Sequence, residues 1–177
     1  MPMSPYAASK AINEIQATAA WNIWKIPTFG FRFFNVYGPR QNPSGAYASV
    51  IPKVCDCLRS GANPVIFGDG QQTRDFVYVK DVADTLYSVM ENINASDGGY
   101  IFNLATGESH SVIEVVQTII SSSSIDSQID FRPVRAGDIK YSYADVTKLA
   151  EFLGDYRPTD FKDGLAETLE WYMRNGK

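Results

Sequence analysis

The sequence predicts an α/β protein built on a mostly parallel sheet. Short runs rich in aromatic and β-branched residues alternate with longer segments of helical apolar spacing, and Gly or Pro stands at many of the joins. A chain of 177 residues is long enough to bury a core of its own. With 45% hydrophobic and 13% aromatic residues it also has the apolar surface that disordered chains lack.

Each element has a local cause. Ser4-Pro5 is an N-cap followed by Pro at the first helical position, and Ile12, Ile15 and Ala19 continue at helical spacing. This predicts a helix to about Lys25, stopped by Pro27. Residues 28–34 form a strand by aromatic enrichment, and 35–45, with its Gly and Pro signals, a loop. A helix over 48–60 ends at Gly61. A strand at 65–67, a turn at Gly68-Asp69-Gly70 and an alternating strand over 74–79 follow. Then come a helix at 81–92, a strand at 100–104, a helix at 111–121, a solvated serine turn at 121–124 and a strand at 129–132. Helices near 146–153 and 161–174 close the chain, and no internal repeat, long linker or charge block interrupts it.

Composition narrows the function classes. With 16 basic and 20 acidic residues the net charge is −4, which disfavours non-specific nucleic-acid binding. No apolar run reaches the ~18 residues of a membrane span, and residues 1–4 lack the pattern of a signal peptide. Cys55 and Cys57 make no disulfide framework, and one histidine, His110, writes no zinc site of the usual spacing. The expectation is a reduced, cytoplasmic enzyme that holds no metal and binds neither nucleic acid nor membrane.

Tyr6 and Lys10 stand four apart and so share a helix face. A free phenol, with a pKa of about 10, is a weak base at neutral pH. An ammonium nearby favours the phenolate, so such a pair can take a proton from an alcohol as hydride leaves its carbon.

Several strings extend this reading. They are Ser4-Pro5-Tyr6-Ala7-Ala8-Ser9-Lys10, Arg32-Phe33-Phe34-Asn35-Val36-Tyr37-Gly38-Pro39-Arg40, residues 68–82 (GDGQQTRDFVYVKDV) and Arg135-Ala136-Gly137-Asp138. In this order they resemble the motifs of the extended short-chain dehydrogenase/reductase family, and within it the UDP-sugar 4-epimerases. Residues 45–53 (GAYASVIPK) resemble the N-acetylhexosamine branch.

The resemblance implies NAD as cofactor, a UDP-hexose as substrate and transient oxidation at C4. Tyr6 would be catalytic base and acid, and Lys10 would hold the nicotinamide ribose, with Phe33 near the nicotinamide. Asn35, Ser49, Val50, Lys53, Val65 and Phe67 would line the substrate site, and Arg74 and Arg135 would clamp the diphosphate. Asp138 would accept from a ribose hydroxyl. Ser142, small where a tyrosine would fill the sugar pocket, would leave room for an acetamide.

Bland readings stand beside these. Arg74 could pair with neighbouring Asp75, Asn35 could turn the chain, and Asp138 could cap a turn. One of Phe33 and Phe34 belongs in the core, Cys55 and Cys57 are packing residues, and His110 is solvated.

The sequence contains no G-x-G-x-x-G dinucleotide loop, and the family's catalytic Ser or Thr lies upstream of its Tyr. The resemblance is therefore to the C-terminal half of such an enzyme. It implies part of a Rossmann-type parallel sheet plus a small mixed α/β substrate domain. Residues 1–45 would be the remnant of the NAD-binding domain and 46–177 mainly the UDP-sugar domain, with 81–108 returning to the Rossmann sheet. Exposed Ile12, Ile15, Trp21 and Trp24 would then drive association, most simply a homodimer. A dehydratase or decarboxylase of the same family, or a non-catalytic UDP-sugar-binding module, are the alternatives.

Overall fold

The computed structural model describes residues 4–45, 48–93, 98–135 and 137–175. Helix α1 (Pro5–Trp24) starts where the Ser4 hydroxyl accepts the Ala7 N–H at 3.1 Å, and it ends at Lys25 in a left-handed conformation. None of its residues is buried. It is held by a two-point Glu14–Arg32 ion pair, both contacts 2.7 Å, and by the Thr28 hydroxyl donating to the Ala17 carbonyl at 3.0 Å. The Arg32 hydrogen bond holds the Glu14 carboxyl below its ordinary range.

The next two strands change partners. Strand β1 (Phe29–Phe33) pairs in parallel with 100–104, Phe29 opposite Tyr100 and Phe33 opposite Leu104. Strand β2 (Asn35–Tyr37) pairs in parallel with 76–78. Phe34 is the joint: its N–H donates to Leu104 and that of Asn35 to Asp75. Residues 35–37 are thus a strand where the sequence reading expects a loop. Their Gly and Pro signals begin only at Gly38, and pairing to a distant segment supplies what three residues alone cannot.

Helix α2 (Val50–Ser60) ends at left-handed Gly61 and leads into β3 (Val65–Phe67), which pairs in parallel with β8 (Asp130–Arg132). Strand β4 (Thr73–Arg74) pairs antiparallel with β7 (His110–Ser111). Strand β5 (Phe76–Tyr78) runs straight into α3 (Val79–Glu91), two residues before the predicted start. Strand β6 (Tyr100–Leu104), α4 (Val112–Ser123), α5 (Thr147–Leu153) and α6 (Phe161–Asn175) complete the order. The serine run is the last turn of α4 and not a turn after it. The Ser121 and Ser123 hydroxyls bond the Thr118 and Ile120 carbonyls, and left-handed Ser124 ends the helix.

The larger buried cluster gathers Ile51, Val54 and Leu58 of α2, Val115, Val116 and Ile119 of α4, and Leu165 and Leu169 of α6 around Tyr37, Ile66 and Phe76. Gly164 lets α6 approach closely, since a Cβ there would lie 2.4 Å from the Tyr37 hydroxyl. A second cluster places Val77, Phe102 and Leu104 against Leu149 of α5. Phe33 is 52% exposed and Phe34 half-buried, so neither is fully buried; the core ring here is Phe102, with half-buried Phe31 packed against it. His110 is not solvated. Its ring stacks on Phe161 with centroids 4.1 Å apart, because the β4–β7 pairing carries it onto the start of α6. No helix among the described residues is long and apolar enough to cross a membrane.

Asp75, between β4 and β5, is fully buried. Its carboxylate accepts from the Thr106 N–H and hydroxyl at 2.9 and 2.8 Å, from Gly107 N–H at 2.9 Å and from Ala144 N–H at 3.3 Å. A buried carboxylate is tolerated when its oxygens are satisfied in this way. Asp75→Asn turns one acceptor into a donor facing N–H groups. It should lower unfolding free energy by about 3 kcal/mol, read from urea melts. A loss under about 0.5 kcal/mol would contradict this account.

Candidate functional site

One cleft of about 490 Å³ lies between α2, β3, β4 and the segment after β8. Helix α2 contributes by its spacing: Ile51, Cys55 and Leu58 turn to the core, while Val50, Lys53 and Cys57 line the cleft. Strand β3 alternates, with Ile66 buried and Val65 and Phe67 less so. The Gly68–Gly70 turn links Phe67 to Gln72, both of which line the cleft. Gly70 sits at φ +75, and a Cβ there would lie 2.8 Å from that of Ile113, so glycine is required on both counts. Gln72 then donates to the Phe67 carbonyl at 3.1 Å.

Nine of the ten residues expected at the substrate line this cleft: Asn35, Ser49, Val50, Lys53, Val65, Phe67, Arg74, Arg135 and Asp138. The tenth, Ser142, is half-buried outside its lining. Arg74 does not pair with Asp75. Side chains alternate across a strand, so the two point to opposite faces, and the Arg74 guanidinium meets Asp138 at 2.5 Å. The guanidinium carbon of Arg135 stands 3.6 Å from the ring centroid of Phe67. Asn35 donates its amide to the Asp75 carbonyl at 2.9 Å, so it anchors a strand while lining the cleft.

Sequence reasoning missed Arg132, Gln72, Asp56 and Cys57, all of which line the cleft. Arg132 is the register partner of Phe67, a pairing no local pattern reveals. Cys57 is not a packing residue as Cys55 is; it faces the cleft, half-buried. In all, four basic side chains (Lys53, Arg74, Arg132, Arg135) face two acidic ones, Asp56 and Asp138. Asp56 is already met by Arg59 at 2.7 Å. Such a site suits an anion with several oxygens and an apolar or aromatic attachment.

Tyr6, Lys10 and Phe33 lie outside the cleft lining. The Tyr6 side chain is 69% exposed, and the Lys10 Nζ stands 5.2 Å from the centroid of its ring. Among the described residues no cluster of three or more His, Cys, Asp or Glu could hold a metal ion.

Residues 1–105 match the NAD dependent epimerase/dehydratase family. The chain belongs to this family. It is 34% identical over 176 residues to UDP-glucose 4-epimerase of Mycolicibacterium smegmatis, covering 99% of this chain and 55% of that protein. It is 32% identical to human dTDP-D-glucose 4,6-dehydratase, covering 98% and 49%. Among solved structures, a UDP-N-acetylglucosamine 4-epimerase from Methanobrevibacter ruminantium, in complex with UDP-N-acetylmuramic acid, superposes with a TM-score of 0.89 at 34% identity. That match covers 98% of this chain and 55% of the other. The chain spans about half the length of the relatives it matches.

NAD is the cofactor of this family. The exposed phenol and ammonium of Tyr6 and Lys10, on one face of α1, are a donor set suited to a ribose diol and a reacting alcohol. For the pyrophosphate the sequence offers no glycine-rich G-x-G-x-x-G turn. The fit is to one end of the cofactor.

Burial, followed by the charge of Asp56, pushes the Cys57 thiol above its ordinary range; burial pushes that of Cys55 up to about 12. Since the thiolate is the nucleophile, iodoacetamide should label Cys57 more slowly at pH 7 than a free cysteine peptide, and faster as pH rises. Cys55 should react only after unfolding. Mass mapping of a timed reaction checks both, and Cys55 reacting first in the folded chain would contradict the burial.

Proposed function

We propose that this chain carries the UDP-sugar site and the Tyr–Lys pair of an NAD-dependent UDP-sugar 4-epimerase acting by transient oxidation at C4. The supporting observation is the cleft: nine residues spread from Asn35 to Asp138 meet around one volume with an excess of cations. Phe67 and Val65 suit the base, Arg74 and Arg135 the diphosphate, and Asp138 a ribose hydroxyl. The Tyr6 Oη takes the proton of the C4 hydroxyl and returns it, while Lys10 stands by as the cation that favours phenolate. NAD, when bound, supplies the hydride acceptor.

The β1–β6 pairing joins 29–33 to 100–104 and supports assigning residues 1–45 and 81–108 to the dinucleotide-binding sheet, with the remainder serving the sugar nucleotide. Ser142 lies outside the cleft lining, so the acetylated hexoses form no part of this proposal. A second reading has its own support. The cleft excludes Tyr6, Lys10 and Phe33, which favours a chain that by itself binds UDP-sugar without turning it over. A dehydratase of the same family remains the alternative reaction, since relatives of both kinds match over the same span.

Calorimetric titration of this chain separates these readings. UDP should bind, and NAD should bind more weakly or not at all. Arg74→Ala and Arg135→Ala should each weaken UDP binding by about 1.5–3 kcal/mol, less at high salt. Wild-type-like UDP affinity in both variants would remove the diphosphate assignment. In an enzyme of the relatives' length that carries this segment, Tyr6→Phe should cut epimerase turnover by about 10²–10⁴ with UDP-sugar binding retained. Turnover within a few-fold of wild type would overturn the role of Tyr6. Helix α1 exposes Ile12, Ile15, Ile23 and Trp24, but not Trp21, whose half-buried ring packs over Gly98 and Gly99; the exposed set supports a homodimer in solution, and a monomer in sedimentation at micromolar concentration would refute it.

A further inference from the structure

The Arg74 guanidinium is already engaged. Its Nη1 donates to the Thr73 carbonyl at 2.8 Å and to the Ile139 carbonyl at 2.5 Å, and its Nη2 donates to Asp138 Oδ1 at 2.5 Å. Beside these bonds the Thr73 N–H donates to the Lys140 carbonyl at 2.9 Å, so residues 138–140 are laid along β4 as an extra strap. An arginine has five N–H donors. Three are spent inside the protein, which leaves the Nε–H and one Nη2–H, and Arg74 lines the cleft. The Arg74 and Asp138 side chains are only 18% and 29% exposed, so the pair is sheltered from water.

We infer that Asp138 is a positioning residue for Arg74. By holding Nη2 it completes the restraint that the Thr73 and Ile139 carbonyls place on Nη1, so that the guanidinium presents its two remaining N–H groups to the cleft as one two-pronged donor for a single phosphate. This rests on the nucleotide-sugar reading above and adds a second role for Asp138, whose other oxygen is left for the ribose. Bulk electrostatics predicts the reverse effect: a carboxylate beside a phosphate site repels it, so removing Asp138 should tighten anion binding. If orientation governs, removal should weaken it.

The test uses this chain and two probes, UDP and inorganic pyrophosphate, the second having no ribose. Asp138→Ala should weaken both by about tenfold. Asp138→Asn, which keeps an acceptor oxygen, should stay within about threefold of wild type. Arg74→Lys, which keeps the charge and loses the fork, should match Asp138→Ala, and the double variant should lose little more. Guanidinium NMR provides a readout independent of any ligand. The Arg74 Nη signals should be separate in wild type and in Asp138→Asn, and should exchange measurably faster in Asp138→Ala, where only the two Nη1 bonds to carbonyls remain.

Averaged signals in wild type would overturn the inference. So would an Asp138→Ala variant that loses UDP yet binds pyrophosphate as well as wild type or better, since Asp138 would then act on the ribose alone. If the wild-type chain binds neither probe, the nucleotide reading fails, and the Arg74 spectrum still decides the positioning role.

Discussion

The buried carboxylate of Asp75 is the constraint on which the site depends. It has no water to solvate it, so its oxygens must be met by N–H and O–H groups. Those donors come from 106–107 and from Ala144, two segments far apart in sequence. Its own carbonyl takes both the N–H and the side-chain amide of Asn35. Four stretches of chain are therefore tied at one residue. Because side chains alternate across a strand, burying Asp75 on one face turns its neighbours Arg74 and Phe76 to the other, where both line the cleft.

The cleft concentrates charge in a chain that is acidic overall. Formal net charge is −4, yet four cations converge on one cavity where one of the two local carboxylates, Asp56, is already met by Arg59 and the other, Asp138, by Arg74. A local field of this kind matters more for an anionic ligand than the average over the surface. The Arg135 guanidinium carbon sits 3.6 Å from the Phe67 ring centroid, so the cation shields part of the ring while its N–H donors remain available to an anion. The apolar and the ionic parts of the site thus share the same two side chains.

Helix α1 differs from the rest of the structure. It is well capped and carries the Tyr6–Lys10 pair, but it buries nothing. Its attachment is polar, through Glu14–Arg32 and Thr28, supplemented by the Trp21 ring lying over Gly98 and Gly99, where any Cβ would clash. Ion pairs with exposed side chains contribute at most about 1 kcal/mol, so the helix is docked more weakly than α2, α4 or α6.

Much was legible in the sequence because it is local. Ser4-Pro5 starts α1, Gly61 ends α2, and the apolar spacing of Ile51, Cys55 and Leu58 decides which side of α2 faces the core and so which residues line the cleft. Most of the order of strands and helices follows from the same local patterns, whereas the residues suited to a diphosphate are what the family resemblance implies. Pairing across the chain lay beyond it. Residues 35–37 are a strand only because 76–78 lie beside them; Arg132 enters the cleft because it sits opposite Phe67; His110 is covered because β7 meets β4 near Phe161; and Arg74 holds Asp138 and not its neighbour Asp75. In each case the deciding contact is between residues distant in sequence, and its geometry exists only once the burial of apolar surface has brought those segments together.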